Sequence, residues 1–196
     1  MRAESLAFLE ELITAPSPSG YEEPAAEVVL AYTKFADAQH TDRHGNTWAV
    51  LNPDADMRIM LAGHMDEIGF QVRYIDEKGL VFFAGIGGHD TMIPLGQSVT
   101  IHGQEAVTGV IGRKPIHLLT EAERGKRPEM HDMWIDIGAA SKEEAEKVIR
   151  VGDPITYRTA FLPLLGDRVA ARGFDNRIGT FAVMEALRLL KEDGGL

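Results

Sequence analysis

The spacing of apolar residues changes twice along this chain of 196 residues, and these changes restrict the folds open to it. Residues 1–67 and 162–196 contain helix-length apolar stripes beside short strand-like runs. Between them, residues 68–161 consist of short runs in which apolar and polar side chains alternate, separated by glycine-containing turns. Alternation of this kind is typical of half-buried strands. We therefore predict an α/β domain that is interrupted by an inserted β-rich barrel or sandwich.

Three long helices are expected in the α/β part. The first spans Ala3–Thr14, and the second spans Glu23–Phe35 with Pro24 in its first turn, where no intrahelical N–H bond is lost. The third spans Asn176–Lys191 and is apolar on most of its surface, so we expect it to lie between two layers. The strands predicted in this part are Gln39–Asp42, Thr47–Leu51 and Arg58–Ala62.

The insert is expected to contain short antiparallel strands and one short helix. Ser141 and Glu144 have the spacing of a capping box, which predicts a helix from there to about Ile149. The strands predicted in the insert are Phe70–Ile75, Leu80–Ala84, Ser98–His102, Ala106–Ile111 and a last one at Val151–Ile155.

Composition excludes several classes of function. The chain contains no cysteine, so disulfides, thiol nucleophiles and cysteine-bound zinc are excluded, and any metal must be held by His, Asp or Glu. The net charge of −10 disfavours binding to nucleic acid. No apolar run approaches the roughly 18 residues that a membrane span needs, and the acidic N-terminal segment is unlike a signal peptide. We expect a cytoplasmic protein that binds neither nucleic acid nor membrane.

The segment around His64 is the first candidate for a functional site. An apolar run, Ile59–Leu61, leads into Gly63 and His64, and Asp66 follows two positions later. Successive side chains of an extended chain alternate between faces, so His64 and Asp66 should lean to the same side. A carboxylate beside an imidazole can fix its tautomer for metal binding. The alternative is a core strand that ends in two polar turn residues.

Asp175 is the second candidate. It lies after a predicted strand and just before the third helix, where an aspartate is a favourable N-cap. Its position at a strand end also suits a metal ligand close to His64. The pattern alone leaves both interpretations open.

Five segments resemble the tetrahedral (TET) aminopeptidase family, whose members are also labelled glutamyl or deblocking aminopeptidases and sometimes endoglucanases. In the order in which the family has them, the segments are Ala15–Glu22, Asp42–Asn46, Gly63–Gly69, Ile135–Gly138 and Phe174–Arg177. The resemblance implies a three-layer α/β/α peptidase domain, incomplete here, formed by residues 1–67 and 162–196. It also implies that residues 68–161 are a PDZ-like module that pairs subunits in a homo-oligomer.

The resemblance also implies roles for the candidate residues. His64 and Asp175 would be metal ligands, Asp175 would bridge two divalent ions, and Asp66 would be the catalytic residue that orients His64. Zinc and cobalt are the metals of the family, and manganese also suits nitrogen and oxygen ligands. In related peptidases a second acid, joined by a cis peptide bond, often follows the bridging aspartate. Here Asn176 takes that place, and we predict a cis Asp175–Asn176 bond.

The implied activity is the removal of N-terminal residues from short peptides with a free N-terminus, by a water that two metal ions activate. The family's general base and remaining ligands lie beyond the residues of this chain, which we therefore expect to be the N-terminal part of such an enzyme and inactive alone. One alternative is a non-catalytic self-association module. Another is a glycoside hydrolase with Asp66 and Asp175 flanking a sugar, which would leave His64 without a role.

Overall fold

The computed structural model describes residues 1–159 and 161–194, and the chain divides into two compact units. One unit consists of residues 1–67 together with the described residues from 161 onwards, and the other is Ile68–Thr159. Each unit has a hydrophobic core of its own. Within the described ranges, no helix combines the length and the apolar character that crossing a membrane requires.

Two helices open the first unit. Helix α1 spans Ala3–Thr14, as predicted, and buries an apolar face that includes Phe8 and Leu12. Helix α2 spans Glu23–Tyr32, with a proline in its first turn, and so ends three residues before the predicted Phe35. The buried Thr33 donates its hydroxyl to the carbonyl oxygen of Val29 at 2.8 Å. Side chains of this kind compete with the helical backbone pattern, which favours a helix end at this point.

A hairpin follows, formed by β1 (Ala38–Thr41) and β2 (Thr47–Val50). The carboxylate of Asp42 accepts hydrogen bonds from the backbone of His44 and from the backbone and side chain of Asn46, which closes the turn. These bonds hold the pKa of Asp42 below its ordinary value. Both strands of the hairpin were predicted to within one residue.

The predicted strand Arg58–Ala62 is wrong. The segment belongs to no ladder among the described residues, and three of its apolar side chains are largely exposed, Met60 to 89%. Its sequence is that of a buried strand, but a strand exists only where another segment satisfies its backbone hydrogen bonds. No such segment lies beside it in the part of the chain that the structure describes.

The second unit is a closed antiparallel barrel of six strands, accompanied by two short helices. In chain order these elements are β3 Gly69–Ile75, β4 Val81–Ile86, β5 Ser98–His102, β6 Ala106–Arg113, α3 Glu121–Arg124, β7 Met133–Asp136, α4 Lys142–Ala145 and β8 Pro154–Tyr157. The strands pair around the barrel in the order β3-β4-β7-β6-β5-β8. Closure leaves no open edge on the sheet.

The β-rich insert was predicted from the alternating pattern, and its four clearest strands fall where expected. The helix after Ser141 is shorter than predicted, because α4 ends at Ala145 rather than near Ile149. Turns carry the chain on to Ile149, whose buried side chain joins the barrel core. The last strand is also displaced, since β8 begins at Pro154.

The chain then returns to the first unit through two short strands and a long helix. Strand β9 is Leu162–Pro163, β10 is Val169–Ala170, and they pair antiparallel. Helix α5 spans Phe174–Asp193, but Asp175 and Asn176 have non-helical backbone angles. One face of α5 packs against α1 through buried side chains such as Phe181 and Met184. The expected second layer is not seen among the described residues, since Ile178 and Leu190 remain exposed.

Candidate metal centre

The structure brings the three predicted site residues together in the first unit. His64 Nδ1 lies 2.8 Å from Asp66 Oδ1, and His64 Nε2 lies 3.4 Å from Asp175 Oδ1. The side chain of Asp175 is 98% exposed, so its carboxylate is fully accessible to a ligand. Each nitrogen of the imidazole thus faces a different carboxylate. One of these, that of Asp175, is more than a hundred residues away in the sequence.

The Asp66 contact determines which nitrogen of His64 carries the proton. A hydrogen bond from Ser19 holds the pKa of Asp66 below its ordinary value, and the bond with His64 acts in the same direction. An ionised carboxylate only accepts hydrogen bonds, so Nδ1–H of a neutral His64 must be the donor. Nε2 then carries a lone pair on the side of Asp175. The lone pair of His64 Nε2 and the carboxylate oxygen of Asp175 can together attract a cation into the space between them.

The backbone around Asp175 and the start of α5 has three notable features. The Asp175–Asn176 peptide bond is cis, as predicted. The amide oxygen of Asn176 accepts a hydrogen bond from the backbone N–H of Gly179 at 3.2 Å. Gly63 lies so close to the start of α5 that a Cβ there would be 2.6 Å from the backbone nitrogen of Thr180. Glycine at position 63 therefore permits the His64 segment to approach this helix.

A buried ion cluster beneath the site was not predicted. The carboxylate of Glu67 is paired with Arg172 and Arg177, each at 2.8 Å, and Arg177 is completely buried. Arg177 also donates to the backbone carbonyls of Leu12 and Ile13 at 2.9 and 2.6 Å. The cluster links Glu67, which follows Asp66, to Arg177, which follows Asn176.

One signal in the sequence could have revealed this cluster. Arg177 occupies the buried stripe of α5, in helical register with Thr180, Phe181 and Met184. An arginine within an apolar stripe must find a buried partner. The partner itself, 110 positions away, could not be identified from the spacing.

The donors at this site fit a divalent metal ion. Two donors bound to one zinc ion at about 2.0–2.2 Å with tetrahedral angles lie about 3.4 Å apart, which is the separation between His64 Nε2 and Asp175 Oδ1. Imidazole nitrogen and carboxylate oxygen also suit zinc, cobalt and manganese. Within residues 1–159 and 161–194, however, no group of three or more His, Asp or Glu side chains is placed to hold a metal ion.

Comparison with known proteins identifies the family. The sequence profile of the M42 glutamyl aminopeptidases matches residues 45–194. The chain belongs to the M42 aminopeptidase family. The resemblance to TET aminopeptidases that the sequence motifs indicated is therefore confirmed.

Individual M42 relatives agree along most of this chain. A lysyl aminopeptidase of Pyrococcus furiosus is 33% identical over 190 residues, which are 94% of this chain and 55% of that protein. A TET aminopeptidase from a marine sediment Thaumarchaeota archaeon has 37% sequence identity and a TM-score of 0.94, over 98% of this chain and 55% of its own. The TET1 peptidase of Pyrococcus horikoshii has 34% identity and a TM-score of 0.86, over 96% and 57%. The chain thus spans about half the length of the relatives it matches.

An apolar cavity of about 1100 Å³ opens beside His64 in this M42 chain. The segment from Met57 to Asp66, the hairpin strand β2 and one side of α5 that includes Val183, Leu187 and Leu190 line it. It coincides with the exposed segment that was expected to be a strand. His64 and Asp66 therefore lie at the end of an uncovered apolar surface.

Proposed function

We propose that this chain supplies part of a dinuclear metal site to an aminopeptidase that removes N-terminal residues from short peptides. The observation that carries the proposal is the convergence of His64 Nε2 and Asp175 Oδ1 at 3.4 Å, with Nδ1 engaged by Asp66. Family membership supplies the reaction class, and the donor set supplies the reason to expect metal.

In this proposal each residue has a separate task. His64 and Asp175 would hold the metal ions, and Asp175 presents an exposed carboxylate to them. Asp66 keeps the proton on Nδ1 of His64, so that Nε2 remains free to bind. Bound zinc, cobalt or manganese would polarise the scissile carbonyl and lower the pKa of a water toward about 7.

We also propose a three-layer α/β/α peptidase domain and a PDZ-like role for the barrel, with the barrel pairing subunits in a homo-oligomer. The two-unit division and the closed six-stranded barrel support this proposal. The Pyrococcus horikoshii TET1 peptidase assembles into a tetrahedron or a large octahedral shell, which favours oligomerisation here.

The 196-residue chain by itself is proposed to be inactive. A metal ion in a catalytic site usually has at least three protein ligands, and the described residues offer two at one place. The contacts of His64 with both carboxylates argue against the glycoside hydrolase alternative, because Asp66 and Asp175 are then engaged by one imidazole. A non-catalytic self-association module remains the second candidate, favoured by the same incomplete ligand set.

Metal binding tests the proposed site directly. Titration of the chain with Co²⁺, followed by calorimetry and visible absorption, should show binding that His64→Ala and Asp175→Asn each weaken by about tenfold or more, since each loses one of few ligands. His117→Ala, in an exposed loop of the other unit, is the matched control and should bind as the wild type does. Equal binding by His64→Ala and wild type would refute the site.

Turnover tests whether the 196-residue chain is inactive by itself. The chain is incubated with zinc or cobalt and an aminoacyl anilide, and release of the anilide is followed by absorbance. No release is expected. Release that a chelator abolishes would show that the chain is a complete catalyst and would defeat both the inactive-chain proposal and the self-association module.

A further inference from the structure

The loop between α1 and α2 contains a serine whose role the family assignment does not explain. The segment Ser17-Pro18-Ser19 runs beside residues 65–67, with a parallel bridge between Pro18 and Glu67. The backbone N–H of Glu67 donates to the carbonyl of Ser17 at 2.9 Å, and the Ser17 hydroxyl donates to the carbonyl of Met65 at 2.7 Å. The loop is therefore bound along its length to the segment that carries Asp66.

The inner side of this loop is anchored in the ion cluster. Ser17 is completely buried, its backbone N–H donates to the Glu67 carboxylate at 3.2 Å, and its hydroxyl also contacts the guanidinium of Arg177. Ser19, two residues further along the loop, is exposed, and its hydroxyl lies against the carboxylate of Asp66.

Ser19 completes a chain of hydrogen bonds that ends at the candidate ligand. Its hydroxyl donates to Asp66 Oδ2 at 2.5 Å, while the other oxygen, Oδ1, faces His64 Nδ1 at 2.8 Å. A carboxylate held at one oxygen only can rotate about its side-chain torsions. One that is held at both oxygens has a fixed plane, and its Oδ1 stays directed at the imidazole.

We propose that Ser19 is a positioning residue of this site. Its hydroxyl fixes the carboxylate of Asp66, which in turn holds His64 in the tautomer that carries the proton on Nδ1. The inference deepens the proposed function, since it concerns how Nε2 of His64 is kept ready for a metal ion. Its central claim, however, concerns the metal-free protein and is tested there.

The test uses the 196-residue chain with ¹⁵N-labelled histidine and no metal. The ¹⁵N shifts of the imidazole, read at a pH where His64 is neutral, give the ratio of its Nδ1–H and Nε2–H tautomers. Ser19→Thr and Ser19→Val form a matched pair, because their side chains are nearly the same shape and differ in the hydroxyl. Ser19→Ala is the third variant, and far-ultraviolet circular dichroism checks that each is folded.

The wild type and Ser19→Thr should show predominantly the Nδ1–H tautomer. In Ser19→Val and Ser19→Ala the ratio should shift toward Nε2–H by about threefold to tenfold, the range that corresponds to one lost hydrogen bond of ordinary strength. An unchanged ratio in Ser19→Val and Ser19→Ala overturns the proposal. A wild type that is predominantly Nε2–H overturns it as well.

A Co²⁺ titration of the same variants keeps the two proposals apart. If the chain binds the ion through His64, Ser19→Val should bind about tenfold more weakly than Ser19→Thr, as is typical when the partner of a metal ligand is disturbed. If neither variant nor the wild type binds Co²⁺, the proposed metal site fails, while the tautomer ratio still decides whether Ser19 positions Asp66. Equal Co²⁺ affinity for Thr and Val variants that do bind would count against the positioning role.

Discussion

At the scale of single residues, we expect substitution of Arg177, the buried arginine under the site, to lower the stability of the fold most. Arg177 is completely buried, neutralises Glu67 and donates hydrogen bonds to the carbonyl groups of Leu12, Ile13 and Met65. Burial lowers the pKa of Arg177, and the Glu67 carboxylate opposes that shift. Removal of one partner from a buried ion pair leaves the other charge uncompensated.

Arg177→Met should therefore lower the free energy of unfolding by about 3–5 kcal/mol, as is usual when one partner of a buried pair is lost. Urea denaturation followed by circular dichroism measures the change. Arg43→Met, at an exposed turn position, is the control and should stay within about 0.5 kcal/mol of the wild type. A loss below about 1 kcal/mol for Arg177→Met would mean that Arg172 alone satisfies Glu67.

The residues of the site differ in how far the sequence could predict them. Alternation along an extended segment was enough to place His64 and Asp66 on one side. Asp175 looked as much like a helix cap as like a ligand, and only the resemblance favoured the ligand. Glu67, Arg172 and Arg177 were missed: the position of Arg177 within an apolar stripe was a signal, but its partners on distant segments leave no short-range pattern.

At the scale of elements, a polar cluster joins the three helices of the first unit. Glu185 on α5 accepts hydrogen bonds from Ser5 on α1 at 2.7 Å, from the hydroxyl of Tyr32 on α2, and from Arg188 at 3.0 Å. Burial acts to raise the pKa of Glu185, but the hydrogen bonds from Arg188, Tyr32 and Ser5 outweigh it and lower the pKa to about 2.

A carboxylate with a folded-state pKa near 2, against an ordinary value of 4.5, stabilises the fold above pH 4.5 and loses this effect as the pH falls toward 2. Glu185→Gln should reduce the free energy of unfolding by about 1–2 kcal/mol at pH 7. The difference from wild type should shrink steadily between pH 5 and pH 3 in urea titrations. Glu10→Gln, on the exposed face of α1, should leave the stability unchanged at both ends of this range. A deficit in Glu185→Gln that is the same at every pH would contradict this account.

Elements that bury their own apolar stripe were the ones that the sequence predicted well. The bounds of α1 and of the barrel strands β3 to β6 follow from local periodicity, and those of the hairpin β1–β2 from its turn residues, whereas β7 was not predicted and β8 was displaced. The segment Arg58–Ala62 failed for the opposite reason, since its backbone requires a neighbouring strand that the described residues do not provide. The prediction of a second layer over α5 failed in the same way, because the apolar side chains on its outer face have no covering layer among the described residues.

At the scale of the whole molecule, the two incorrect predictions concern the same surface. They are the strand Arg58–Ala62 and the second layer over α5. The exposed side chains of Ile59, Met60 and Leu61 and the exposed Leu190 of α5 line the same apolar cavity. Contiguous apolar surface of this size is unusual on a protein that does not bind a partner there.

Such a surface should bind the hydrophobic dye 8-anilinonaphthalene-1-sulfonate while the chain is folded. The double variant Ile59→Lys/Met60→Lys should reduce the dye fluorescence by about half or more, because it places two charges within the apolar patch. Its free energy of unfolding should stay within about 0.5 kcal/mol of the wild type, since both side chains are already exposed. Leu165→Lys, which removes an exposed leucine elsewhere in the same unit, is the control and should leave the fluorescence unchanged. If the double variant and the wild type bound the dye equally, the exposed segment would not form part of an accessible apolar surface in solution, and the interpretation of Arg58–Ala62 as a strand without its neighbour would be wrong.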